Sequence, residues 1–146
     1  MRKHVTGLAI ALSLAFGGGA FAADAMSKDA YKAEKDKIET QAKADKKACE
    51  DMNADAKDVC EAEAKAKEKI AKAELDARNK PGAKADERVR LMKAEGTYEV
   101  AKEKCEDQQG AAVEACKKDA KVAHDKAKAE ARDATAGTRA DAKRKS

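Results

Sequence analysis

The sequence predicts an all-α fold of four helices, arranged as two repeated antiparallel hairpins with coiled-coil-like contacts. Three observations predict it. Ala, Lys, Glu and Arg, which lead the helix propensity scale, dominate the chain after residue 22. The apolar positions recur at helical steps: Leu91, Ala94, Tyr98, Ala101 and Cys105 are spaced 3, 4, 3 and 4, as are Val113, Cys116, Ala120, Ala123 and Ala127. Two cysteine pairs, Cys49/Cys60 and Cys105/Cys116, repeat one Cys-x10-Cys spacing at an offset of 56 residues. No stretch alternates in the manner of a strand.

Composition excludes a great deal. From Ala23 onward only 14 of 124 residues are apolar and larger than Ala or Cys, about half what a globular domain of that length carries. So little bulky apolar surface cannot offset the chain entropy of a thick single core, a β-sandwich or an α/β enzyme scaffold. The shortage also brings the chain near the disordered class, whereas its near-neutral charge does not. Helices only partly formed in isolation are therefore compatible with this composition.

The elements follow in order. Met1 to His4 is basic, Val5 to Phe16 is an apolar run, and Ala20 and Ala22 stand at −3 and −1 of a cut between Ala22 and Ala23. This is the layout of a secretory signal peptide over residues 1–22. A run of about 12 residues is short of the roughly 20 a membrane span needs. The first Cys, Cys49, lies too far on for lipoprotein processing, and no later stretch is apolar enough to cross a bilayer. A soluble periplasmic protein is expected.

The first hairpin is expected over 23–80, with helices near 27–52 and 56–78. Ser27 is placed to cap the first, with Asp29 on its dipole. Tyr31, Ile38, Ala42 and Cys49 form its stripe, which Val59, Ala62, Ala66, Ile70, Ala73 and Ala77 continue after the turn. Asn79-Lys-Pro81-Gly82 is the strongest breaker and marks the seam. The second hairpin is expected over 81–136, with helices near 84–108 and 111–135, followed by a basic flexible tail at 137–146. Opposite charges at helical spacing, such as Lys32/Asp36 and Asp125/Lys128, support the helices throughout. Whether the stripes meet as a bundle or pair with another subunit is left open.

Four cysteines in an oxidising compartment point to disulfides. On one unbroken helix, Cys49 and Cys60 would stand ~16 Å apart, whereas a disulfide needs Cα atoms within ~7 Å. The chain therefore reverses between them, or each pairs elsewhere. Gln108-Gln-Gly110 offers a left-handed glycine stop, and Asn53-Ala-Asp55 a left-handed Asn followed by an Asp cap. Local pairing is favoured over cross-repeat pairing, and both over intermolecular or free thiols. No Cys-x-x-Cys exists, and the acidic neighbours Glu50, Asp51, Glu61, Glu106 and Asp107 oppose thiolate formation, so a strut is expected rather than a redox centre.

Catalytic constellations are missing. Ser27 and Ser146 are the only serines after the leader, which leaves a Ser-His-Asp site without a nucleophile. His124 is the only histidine there and is expected to be solvated on a charged face. No metal ligand set and no cofactor loop is present, so a non-enzymatic protein without cofactors is expected. After leader removal, 30 basic residues face 28 acidic ones, which argues against a dedicated nucleic-acid binder. Weak contact with an anionic polymer through the Arg139–Lys145 stretch fits the local charge.

The segments Tyr31-Lys-Ala-Glu-Lys-Asp-Lys37, Ala56-Lys-Asp-Val-Cys60 and Ala64-Lys-Ala-Lys-Glu-Lys-Ile70 resemble small Ala/Lys/Glu-rich periplasmic proteins of proteobacteria, which carry no assigned activity. In composition alone the chain is similar to the helical stalk of the TolA envelope protein and to late-embryogenesis-abundant stress proteins. The paired cysteines depart from the stress-protein pattern, and the missing anchor departs from TolA. High solubility, dense mixed charge and marginal helices that adapt to a client or surface lead to the expectation of an envelope stress-protective or holdase-like role toward unfolded clients. The alternative is a scaffold that docks onto an envelope protein through the stripe at Leu91, Tyr98 and Val100, with or without self-association.

Overall fold

The computed structural model describes residues 26–145, which form four helices: α1 (Lys28–Ala48), α2 (Ala54–Asn79), α3 (Ala83–Glu106) and α4 (Ala111–Lys145). No strand occurs among them. The expected signal peptide and its cut at Ala22/Ala23 lie outside the described residues.

Local chemistry sets the boundaries. The Ser27 hydroxyl accepts from the Ala30 N–H at 3.2 Å, as expected of an N-cap, with Asp29 in the first turn and Lys46 and Lys47 in the last. α1 stops at Ala48, four residues before the expected end. The cap of α2 is Asn53, not Asp55: its side-chain oxygen accepts from the Ala56 N–H at 3.1 Å, and its φ of −65° is not left-handed. A cap oxygen must reach the N2 or N3 amide; Asp55 sits inside the first turn, where it serves the dipole instead. Lys80, pushed out of helical geometry by Pro81, closes α2 with φ −135°. Gly110 has φ +61°, the left-handed conformation expected of it. It stands immediately before α4, however, because Asp107 is the residue that caps α3.

α4 is the largest departure. It continues ten residues past the expected end at 135 and takes in residues 137–145, expected as a flexible tail. Thr135 explains the continuation. It is 1% exposed, accepts from Arg90 Nη2 at 2.6 Å and donates to the Ala131 carbonyl at 3.1 Å. One turn later Arg139 reaches Glu87 at 3.8 Å. The end of α4 is thus held on the start of α3, and no proline interrupts it.

The helices form one open layer. α1 packs on α2, α2 on α3 and α3 on α4, and no other pair meets. α2 and α3 therefore need two contact faces each. In α2, Glu68 and Lys72 pair with Lys46 and Glu39 of α1 at 2.9 and 3.4 Å, so Leu75, one heptad beyond Glu68, lies on that same face. Leu75 is 1% exposed and is the largest fully buried side chain. The other face of α2 meets α3 through Lys69–Glu99, Glu74–Lys93 and Glu63–Lys104 at 2.7, 2.8 and 3.4 Å. Gly96 marks the closest approach there. A Cβ built on it would stand 2.8 Å from the Ala66 Cβ. The remaining core is small: Ala42, Ala62, Ala64, Ala66, Ala73, Ala94 and Ala131, with Cys49 and Cys105.

Candidate functional site

The antiparallel order sends all helix ends to one of two edges of the layer. At one edge lie both disulfides, Cys49–Cys60 and Cys105–Cys116, with Cα separations of 5.7 and 5.6 Å. Of the pairings open in the sequence, the local one is found, and each half reverses between its cysteines. No described cysteine remains free.

Between these pinned ends and the α2–α3 turn runs an apolar trough. Its first stretch, about 380 Å³, has Ala66 and Ile70 of α2 on one side and Gly96, Val100 and Ala101 of α3 on the other, with Lys67 and the Glu63–Lys104 ion pair at the rim. A second stretch of about 580 Å³ shares Ala101 and Lys104 and continues over Ala112, Ala115 and Ala120 of α4. The two form one shallow surface across three helices. It exists because no further described helix covers that face. Small floor residues make it wide, and Ile70 and Val100 are its bulky walls.

The three contact residues expected from sequence do not form one patch. Val100 lines the trough. Tyr98, two residues away and therefore about 200° round the helix, turns into the α3–α4 seam. There its ring stacks on His124 with centroids 4.5 Å apart, and Lys102 Nζ lies 4.9 Å from its centroid. Leu91 is half-buried. The solvated His124 expected from sequence is corrected as well. Its side chain is 10% exposed, with Nε2 2.9 Å from Glu95 Oε2. Tyr98 and His124 are seam residues, placed there because the α4 stripe drifts from Ala123 to His124 over successive turns, as a straight helix does against a 3.5-residue repeat.

Sequence reasoning passed over Gly96, Thr97 and Lys104 as trough residues. The available signal was a glycine inside a strong helix pattern, which marks close approach of another backbone. Glu68 and Tyr31 are among the groups whose titration is shifted. Glu68 is held below the usual carboxylate range by hydrogen bonds from Lys72 and Lys46. The Tyr31 hydroxyl is raised because it donates to Asp76 at 2.6 Å. Among the described residues no cluster of three or more His, Cys, Asp or Glu is placed to hold a metal ion. No described helix is long and apolar enough to cross a membrane.

No family model matches this chain, and neither a curated protein nor a solved structure matches it.

Proposed function

We propose that this is a non-enzymatic, exported helical protein of the periplasm that shields apolar segments of unfolded envelope polypeptides, a holdase-like, stress-protective role. The observation that carries the reading is the trough across α2, α3 and α4, apolar along its floor and rimmed by charged residues of both signs. A trough open along its length accepts an extended chain of no fixed sequence. Its charged rim of Glu63, Lys67, Lys104 and Asp119 keeps the unoccupied protein soluble. Two disulfides fit an oxidising compartment, and the leader expected at residues 1–22 fits export.

The test is light scattering from a chemically unfolded secretory protein diluted into buffer with increasing amounts of the oxidised chain. Scattering should fall as the chain is added, and Val100→Lys should remove most of the protection. Unchanged scattering would end the holdase reading. A second reading, a scaffold for one envelope partner, is favoured by the way Gly96 and the disulfides fix the trough's width. In that case clients would aggregate regardless, while one partner would be captured in a salt-insensitive way and lost with Val100→Lys.

A further inference from the structure

The edge opposite the disulfides has a character of its own. All six arginines of the described chain, Arg78, Arg88, Arg90, Arg132, Arg139 and Arg144, come from residues 76–92 and 130–145. These segments are far apart in sequence, and the fold joins them: Arg90 meets Thr135 at 2.6 Å, and Glu87 meets Arg139 at 3.8 Å. Together they carry ten basic residues against six acidic ones, whereas the disulfide edge, residues 45–63 and 101–119, carries seven against twelve. The layer is therefore electrically bipolar although its net charge is small.

A groove of about 540 Å³ opens at the basic edge between the start of α1 and the α2–α3 turn. Lys80, Lys84 and Arg88 line it, and none of them makes an ion pair with a described residue. Asp76, its one carboxylate, accepts the Tyr31 hydroxyl. The charged groove on the α2–α3 surface differs. There Lys69 is bound by Glu99 at 2.7 Å and Lys65 by Glu61 at 3.4 Å. Three cations against the single carboxylate of Asp76 give this groove a net positive charge.

We infer that this edge docks onto the phosphate groups of an anionic membrane surface, with one phosphorylated headgroup seated among Lys80, Lys84 and Arg88. The Arg88 guanidinium fork suits phosphate oxygens. The acidic edge is repelled by the same surface, so the layer is oriented with both disulfides facing away from the membrane. A nucleic-acid strand is a poorer occupant. It needs a track of cations with a series of stacking rings, and Tyr31 is the single aromatic side chain lining this groove.

Vesicle co-sedimentation of the oxidised full chain tests this, with phosphatidylglycerol/phosphatidylcholine vesicles against pure phosphatidylcholine at about 50 mM salt, where screening is weak. Binding should occur to the anionic vesicles only. The triple variant Lys80→Gln/Lys84→Gln/Arg88→Gln should lose roughly 100-fold in affinity. The matched variant Lys47→Gln/Lys57→Gln/Lys118→Gln, with the same change in net charge at the other edge, should stay within about twofold of the parent. All six positions are on the surface or half-exposed, and helical circular dichroism checks each variant. Absence of anionic-vesicle binding, equal loss in both variants, or tighter binding to duplex DNA at the same salt would each overturn the inference.

Discussion

Gly96 and Gly137 both lie inside helices, yet a methyl group would act on them in opposite ways. At Gly137 the new Cβ has no atom within 4 Å, so Gly137→Ala gains only helix propensity. Urea unfolding should show a rise of about 0.5–1 kcal/mol. At Gly96 the Cβ meets the Ala66 Cβ at 2.8 Å, and a side-chain stub this short has no freedom to yield. The helices must part, at an overpacking cost of about 1–3 kcal/mol that exceeds the propensity gain. Gly96→Ala should therefore lower stability, and combining it with Ala66→Gly should restore much of the loss, since the two positions share one contact. Residue-scale reading of the sequence was poorest in this respect. Alanine is the buried residue at seven described positions and is exposed at fifteen others, so the binary pattern that exposes a Leu or Ile face is nearly silent here.

The four helices, their turns and their disulfides were legible, because propensity, cysteine spacing and the Pro81-Gly82 breaker all act locally. The number of faces each helix buries was not. One stripe was found per helix, whereas α2 and α3 each carry two, and the α1-facing side of α2, with Ala64 and Leu75, went unread. The same asymmetry sets element stabilities. α1 touches one neighbour and is tied by Cys49–Cys60 across a separation of 11 residues. Closing such a loop contributes on the order of 2–3 kcal/mol. Cys49→Ser/Cys60→Ser should release α1, seen as loss of its amide protection while α2 and α3 stay protected. Cys105→Ser/Cys116→Ser should leave α4 docked, because Ala131, Thr135 and His124 still hold it on α3. The α1–α2 seam should also be sensitive to acid. Glu68 titrates below its ordinary 4.5, so its contribution is present above that value and is lost as pH falls through the lower folded one. Protection of α1 should fall over that acidic range, and Glu68→Gln should flatten the dependence.

At the scale of the whole molecule, the open layer is the property from which the others follow. A closed four-helix bundle would bury one face of every helix and would need bulky residues at its axis, where four surfaces converge. Among the described residues Leu75 is the one large fully buried aliphatic side chain, and the other buried residues are Ala, Gly, Cys and Thr135. Small residues suit pairwise contact between close helices and cannot fill a central axis. A layer is what such a composition can pack, and it leaves the trough face uncovered. Its dimensions are testable without a partner. A compact monomer of about 124 residues has a radius of gyration near 14 Å. Four helices of about 31–52 Å, side by side at 8–10 Å spacing, give roughly 16–17 Å instead. Small-angle X-ray scattering on the monomeric, oxidised protein should return the larger value. A value near 14 Å would mean that α1 folds back over α3, which would cover the trough and remove the surface on which the proposed shielding of clients depends.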